Sequence, residues 1–157
     1  MLAFLLLFVA AFCTAVAAST TTETGSSGNI VRFRISQLLG KLLHALPDDA
    51  ELEETLCDRL QAAMLQRMVD KIPAVREKAA AALTRLQDPA AADCPVTAIF
   101  VDRLAHDSSP DVRRAVLSQL EATPATLPAM LERVLDKAAG VHKQLFATLA
   151  TGHGRSL

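Results

Sequence analysis

The chain has 157 residues, a formal net charge of −1 and 51% hydrophobic residues, with no Trp, no Tyr and six Phe. This length corresponds to about one domain. The 21% of charged residues is too high for a polytopic membrane protein, and the apolar content is too high for a disordered chain. The abundance of Ala and Leu favours helices over strands. Near-neutrality excludes a uniformly basic nucleic-acid binder, although charge can still be segregated onto one face.

The side chains that could carry catalysis or bind a metal ion form no recognisable site in the sequence. Cys13, Cys57 and Cys94 are odd in number and widely spaced, which argues against a zinc site and against a secreted disulfide scaffold. The histidines share no ligand spacing, and neither a glycine-rich phosphate loop nor a nucleophile–base arrangement is recognisable. The sequence therefore predicts no enzyme activity, no catalytic residue, no metal site, no cofactor and no small-molecule substrate.

The first 18 residues, MLAFLLLFVAAFCTAVAA, are almost entirely apolar. They resemble a secretory signal peptide, with a cleavage-like site at Ala15–Ala17, but no Lys or Arg precedes the apolar run. The other interpretation is a buried helix of a larger core. The segment is short and rich in Ala for a membrane span, so contact with a membrane is expected only if it is a signal peptide. The polar residues 19–28 predict a flexible linker.

Four later segments share one helical pattern, and they begin at Val31, Val75, Val112 and Val141. Apolar residues recur four and eight positions after each valine, a period typical of a buried helix face. Pro73 and Pro110 stand two residues before their valines, where a first-turn proline costs no hydrogen bond. Ser109 is the expected N-cap before Pro110. We call these segments the B helices and expect the four valines to be equivalent buried positions.

The stretches between the B helices are also amphipathic, and we call them A helices. They are predicted over 49–69, from Pro95 to Leu104, and over 127–135. Alternating A and B helices with an Asp-x-x-Pro-x-Val-Arg start to the B helix are typical of HEAT repeats, in which stacked helix pairs bury a shared core. The sequence therefore predicts an all-α HEAT-repeat α-solenoid of about four helix pairs.

This pattern also assigns the domain organisation. The HEAT repeats are predicted over 29–151, and a disordered tail is predicted over 152–157. Four helix pairs require an A helix before residue 31, and residues 1–18 are the available candidate. We therefore favour a repeat helix over a signal peptide for that segment, with both interpretations left open.

Charged residues recur at the starts of the B helices. Arg32, Arg76 and Arg113 directly follow the first three valines, and Asp70 and Asp107 lie six residues before Arg76 and Arg113. The planar guanidinium matches a carboxylate better than a Lys ammonium does. These five residues therefore predict a structural ladder of ion pairs between successive repeats.

Charge also divides between the two kinds of helix. The segments that contain B helices carry a net positive charge, and those that contain A helices carry a net negative charge. In HEAT solenoids the B helices line the concave side, so a basic groove is expected there. Phosphate contacts from such a groove would give salt-sensitive, sequence-independent DNA binding. The alternative is a solvated helix flank whose long stems cover apolar neighbours. The candidate DNA-binding residues are Arg34, Lys41, Lys78, Arg85, Arg114 and Lys143.

Four consecutive stretches carry a closer resemblance. They are VRFR-x-x-QLL-x-KLL from Val31, LPDDAELEETLCDRLQAAMLQRM from Leu46, DKIPAVREKAAAALTRLQDP from Asp70 and SSPDVRRAVLSQL from Ser108. In this order they resemble the G-subunit family of eukaryotic condensin (condensin complex subunit 3). The resemblance runs from residue 29 to residue 149, although His142 replaces the usual Arg of the fourth repeat. Members of that family are several times longer, so we expect this chain to correspond to an N-terminal portion of the array.

The resemblance implies a non-enzymatic HEAT scaffold of the condensin complex. Its implied partners are double-stranded DNA, the kleisin subunit and, through the kleisin, the SMC subunits that carry the ATPase. The implied process is mitotic chromosome condensation, and the implied location is the nucleus or chromosome, with the cytoplasm in interphase as an alternative. Two other functions stay open: a protein-only HEAT adaptor without nucleic-acid binding, and a secreted helical protein with a cleaved leader.

Overall fold

The computed structural model describes residues 26–47, 53–88, 91 and 93–152, and every regular element in these ranges is helical. The α-helices are α1 Ser26–Ala45, α2 Glu54–Arg67, α3 Pro73–Leu83, α4 Pro95–His106, α5 Pro110–Gln119, α6 Leu127–Leu131 and α7 Ala139–Gly152. Short 3-10 helices, Thr84–Leu86 and Glu132–Leu135, follow α3 and α6. The chain divides into two compact units between Leu86 and Gln87.

Prolines mark the starts of three helices. The helices α3, α4 and α5 begin at Pro73, Pro95 and Pro110, as the sequence predicts, because the first turn of a helix does not need the missing N–H. Ser109 occupies the N-cap position of α5, but its hydroxyl forms no capping hydrogen bond. Its N–H instead donates to Asp107 Oδ1 at 2.9 Å. The prediction of Ser109 as a side-chain cap is therefore wrong, since the upstream aspartate orders this turn.

In the first unit, the B helices α1 and α3 lie against each other, and α2 packs on α3. Their shared core consists of leucine and methionine side chains in contact across the three helices. Its fully buried members include Leu39, Leu43, Leu60, Met64, Met68 and Leu83. Burial of such side chains supplies most of the stability of a short amphipathic helix.

In the second unit, α5 packs on α4 and on α7, and the 3-10 helix Glu132–Leu135 packs on α7. The fully buried side chains of this core include Phe100, Leu104, Val116, Leu117, Met130 and Leu145. The A helix predicted over 127–135 is thus a five-residue α-helix that continues as a 3-10 helix. Among the described residues of both units, no helix has the length and apolarity that would cross a membrane.

The repeat valines show where the predicted equivalence holds. Val75, Val112 and Val141 are fully buried, whereas Val31 is 46% exposed. The prediction is confirmed for three of the four positions and wrong for Val31, because neither α2 nor α3 covers that part of α1. The A helix expected beside Val31, residues 1–18, lies outside the described residues.

The predicted boundaries differ slightly from the structure. Helix α1 begins at Ser26, three residues inside the predicted linker 19–28. Gly28 is buried, so packing outweighs the low helix propensity of this Ser-Ser-Gly stretch. At the other end, α7 extends to Gly152, and the rest of the predicted tail lies outside the described residues. The choice between a signal peptide and a repeat helix concerns a segment that is likewise not described.

Candidate nucleic-acid interface

Two arginine–aspartate pairs join successive B-helix starts, one within each unit. In the first unit, Arg32 Nε donates to Asp70 Oδ2 at 2.7 Å. In the second, Arg113 donates from Nε and Nη2 to the two carboxylate oxygens of Asp136, each at 2.7 Å. The side chains of Asp70 and Asp136 are 5% and 3% exposed. The structure thus brings Arg32 onto Asp70, and it gives Arg113 a carboxylate partner, Asp136, that lies outside the predicted set of five.

Each aspartate of this motif also orders the turn that precedes its B helix. Asp70, Asp107 and Asp136 each accept, through Oδ1, a hydrogen bond from the backbone N–H two residues later. The donors are Ile72, Ser109 and Ala138, at 2.9, 2.9 and 3.0 Å. This arrangement is an Asx turn, which positions the first turn of the following helix.

The arginine of each motif closes the same turn from the other side. Arg76 Nη1 donates to the main-chain oxygen of Asp70 at 2.7 Å, and Arg113 Nη1 donates to that of Asp107 at 2.7 Å. An arginine six residues after the aspartate can therefore bind its own repeat through the backbone. Arg113 does so while its other nitrogens contact the next aspartate, so this residue links two consecutive repeats.

The ion pairs shift the pKa values of their partners. Burial raises the pKa of Asp70, but the hydrogen bond from the Ile72 N–H and the nearby Arg32 and Arg67 outweigh it, so the net shift is downward. The hydrogen bond from Arg113 is the largest influence on Asp136 and lowers its pKa despite burial. The same hydrogen bond raises the pKa of Arg113. Both aspartates are therefore charged at neutral pH.

Arg67, which the sequence analysis did not single out, is a second cation beside Asp70. It lies at the end of α2 and is 6% exposed, with Nη1 3.6 Å from Asp70 Oδ2. Burial lowers the pKa of Arg67, and the carboxylate of Asp70 partly offsets this effect. The signal in the sequence is the Arg-x-x-Asp spacing at the end of the A helix, which places the two side chains on one helix face.

Two of the predicted DNA-binding lysines meet in one groove. Lys41 of α1 and Lys78 of α3 line a surface depression of about 250 Å³, which we call the basic groove. Its complete lining is Ser36, Gln37, Gly40, Lys41, His44, Lys78 and Ala81. The lining contains no carboxylate, so its lysines give it a positive charge. His44 Nδ1 lies 3.0 Å from the main-chain oxygen of Gly40.

Arg34 lies beside the basic groove. Its Nη1 donates to Gln37 Oε1 at 3.0 Å, and Gln37 is one of the lining residues. Its guanidinium carbon lies 5.8 Å from the centroid of the Phe33 ring, and Lys78 Nζ lies 5.9 Å from the same centroid. Three predicted DNA-binding residues, Arg34, Lys41 and Lys78, are therefore gathered on the first unit.

Arg85 has a different set of contacts. It donates from Nη1 to the main-chain oxygens of Leu43 and Leu46 and from Nη2 to that of Pro47, the last at 2.8 Å. These oxygens belong to the end of α1, where the helix leaves its carbonyl groups without intrahelical partners and favours positive charge. We therefore leave Arg85 out of the proposed DNA-binding set, because main-chain oxygens already use its donors.

The other two candidates lie on the second unit. Arg114 of α5 forms an ion pair with Asp111 at 3.1 Å, and both side chains are more than half exposed. Lys143 is exposed on α7, which packs on α5. Among the described residues, no group of His, Cys, Asp or Glu side chains could hold a metal ion.

Comparison with known proteins relates these features to one protein. The chain is 43% identical over 126 residues to condensin complex subunit 3 of Xenopus laevis, and 42% identical over 125 residues to the human protein. It is 34% identical over 118 residues to the protein of the same name from Schizosaccharomyces pombe. These matches cover 80%, 80% and 74% of this chain. The chain is homologous to one segment of condensin complex subunit 3. It spans 12 to 13% of the length of these relatives.

A solved structure agrees with the sequence relatives. The crystal structure of the S. pombe condensin Cnd3–Cnd2 subcomplex matches 90% of this chain and 17% of the solved chain, with a TM-score of 0.76 and 28% sequence identity. No protein-family model matches the chain. The predicted resemblance to condensin complex subunit 3 and the predicted all-α HEAT-repeat class are confirmed by these comparisons together with the helical structure.

Proposed function

We propose that the chain is a non-enzymatic HEAT-repeat scaffold segment of the condensin complex that contacts the backbone of double-stranded DNA through the basic groove. The observation that carries the proposal is the groove itself, whose charged lining residues Lys41 and Lys78 are basic in a chain of net charge −1. The homology to condensin complex subunit 3 supports the same function. The proposed location is the nucleus or chromosome.

The chemistry of the groove suits phosphate and not bases. Lys41 and Lys78 supply ammonium groups, and Arg34 adds a guanidinium at the side of the groove. Such groups bind the DNA backbone without reading the sequence, and they release counterions as they do so. The chain has neither Trp nor Tyr, so stacking on unpaired bases contributes little. Duplex DNA of any sequence is therefore the proposed ligand.

We further propose the kleisin subunit of condensin as a protein partner, with the SMC subunits reached through it. The similar solved structure is that of a two-subunit complex, Cnd3–Cnd2. The second unit also exposes large apolar side chains of the kind that protein interfaces use. They are Leu131, Val134, Leu135 and Phe146. This exposed apolar surface favours the second candidate function, a protein-only HEAT adaptor, if the groove does not bind DNA.

Fluorescence anisotropy with a random-sequence duplex, measured with the full chain at several salt concentrations, tests the DNA proposal. The groove variant combines Lys41→Glu with Lys78→Glu. We expect about tenfold or greater loss of affinity, and a slope of log K against log salt that is smaller by about two, because two phosphate contacts are lost. The melting temperature should stay close to that of the wild type, since Lys41 is exposed and Lys78 is only partly buried.

A matched variant controls for the change in net charge. Arg59→Glu with Lys137→Glu alters charge by the same amount at two exposed residues outside the groove lining. We expect this variant to lose much less affinity than the groove variant. Equal losses in the two variants would contradict a localised site. Absence of wild-type binding at low salt would favour the protein-only adaptor.

A further inference from the structure

The ammonium of Lys78 lies between two groups that act on it in different ways. Its Nζ is 2.7 Å from Glu77 Oε1, and it lies 5.9 Å from the centroid of the Phe33 ring. The side chains of Lys78 and Glu77 are 28% and 33% exposed, so solvent reaches both. Lys78 also lines the basic groove. A single cation is therefore shared by a carboxylate, an aromatic ring and a potential phosphate site.

The contact with Glu77 is one that a phosphate can replace. Consecutive residues of an α-helix point about 100° apart, so Glu77 and Lys78 meet only because their stems bend toward each other. Partly exposed ion pairs of this kind contribute little net stability. The carboxylate nevertheless neutralises the charge that would attract DNA. Glu77 thus occupies the same donor that a backbone phosphate in the groove would use.

The contact with Phe33 has the opposite consequence. An aromatic face attracts cations, and Phe33 attracts two, since Arg34 lies 5.8 Å from its centroid. The ring belongs to α1 and Lys78 belongs to α3, so the contact holds the lysine toward the neighbouring helix. That direction is toward Gln37 and Lys41, the α1 side of the groove. The ring therefore keeps two cations together despite their mutual repulsion.

We propose that Phe33 is a positioning residue for DNA binding and that Glu77 is an intramolecular competitor for Lys78. This inference rests on the proposed function of the basic groove. In the free protein, Lys78 is held by Glu77 and Phe33 together. When duplex DNA enters the groove, the phosphate takes the place of Glu77, and Phe33 keeps the ammonium in position.

The two residues should affect DNA affinity in opposite directions. Glu77→Gln should raise the affinity for a random-sequence duplex about two- to fivefold, because Lys78 loses its competing partner. Phe33→Leu should lower the affinity about threefold, and Phe33→Tyr should restore it, because a tyrosine ring also attracts cations. Anisotropy titration of the full chain at several salt concentrations gives both values, and thermal melting shows whether Phe33→Leu remains folded.

Two controls separate this mechanism from general effects. Glu132→Gln removes the same charge from another ion pair, with Arg133 at 3.3 Å, and should change affinity less than Glu77→Gln. In a Lys78→Gln background, the effects of Glu77→Gln and Phe33→Leu should both disappear. Persistence of either effect there, or an equal gain from Glu132→Gln, would overturn the inference. A groove variant, Lys41→Glu with Lys78→Glu, that binds like the wild type would instead overturn the proposed function itself.

Discussion

The two units of the chain build the same connection between repeats with different surroundings. In the second unit, Arg113 holds both carboxylate oxygens of Asp136. In the first, Arg32 Nε holds Asp70, and the buried Arg67 adds a second cation 3.6 Å from the same carboxylate. The shared motif thus determines where the pair forms, while the preceding A helix determines how many cations share the aspartate.

The largest expected effect comes from breaking these pairs one at a time. Arg113→Ala leaves the buried carboxylate of Asp136, 3% exposed, without its guanidinium, which should cost about 3 to 5 kcal/mol of unfolding free energy. Arg32→Ala should cost less, about 1 to 3 kcal/mol, because Arg67 still lies beside Asp70. Urea unfolding of the full chain, followed by circular dichroism at 222 nm, measures both values.

The neighbouring residue Arg114 provides a control for this comparison. Its side chain is 51% exposed, so Arg114→Ala should change the unfolding free energy by less than about 0.5 kcal/mol. A loss from Arg113→Ala as small as this would contradict the role of the pair. A loss from Arg32→Ala larger than that from Arg113→Ala would contradict the compensating role of Arg67.

The pH dependence of stability is a smaller effect that sharpens the same comparison. The pKa values of Asp70 and Asp136 are both held below the ordinary value of 3.8. A lowered carboxylate pKa contributes stability that is fully present above the unfolded-state pKa and is lost as the pH falls through the folded-state pKa. We therefore expect the unfolding free energy to be level near neutral pH and to decline below about pH 4.

Replacing one aspartate isolates its share of this acid dependence. Asp136→Asn removes the titrating group, so the variant should be less stable than the wild type at pH 7 but should lose less stability between about pH 5 and pH 2. Denaturant unfolding at a series of pH values measures the two slopes. An identical slope in wild type and variant would show that Asp136 does not contribute to acid unfolding.

Much of the helical framework could be predicted from local patterns. The apolar period gave the B helices because a buried helix face must repeat every three to four residues. Pro73, Pro95 and Pro110 marked the starts of their helices because proline is tolerated only in the first turn. The Asp–Arg spacing gave the positions at which ion pairs form, since it repeats with the helices.

Other features depend on contacts that no local pattern contains. Arg85 reaches main-chain oxygens 38 to 42 residues earlier in the chain, and its spacing from Lys78 gave no indication of that contact. Arg133 likewise donates to the main-chain oxygen of Leu104 at 3.2 Å. Both arginines follow a B or A helix in a 3-10 helix and cap the end of an earlier helix. A sequence pattern identifies a basic residue but not the carbonyl group that it meets after folding.

Photo-crosslinking to duplex DNA tests the central claim most directly, because it reports proximity to the groove without removing its lysines. A benzophenone amino acid is placed at Gln37, which lines the basic groove, or at Gln66, an exposed residue of α2. We predict a DNA cross-link from position 37 that decreases as salt is raised, and little from position 66. Equal cross-linking from both positions, or cross-linking from position 66 alone, would contradict the assignment of the groove as the DNA-binding surface.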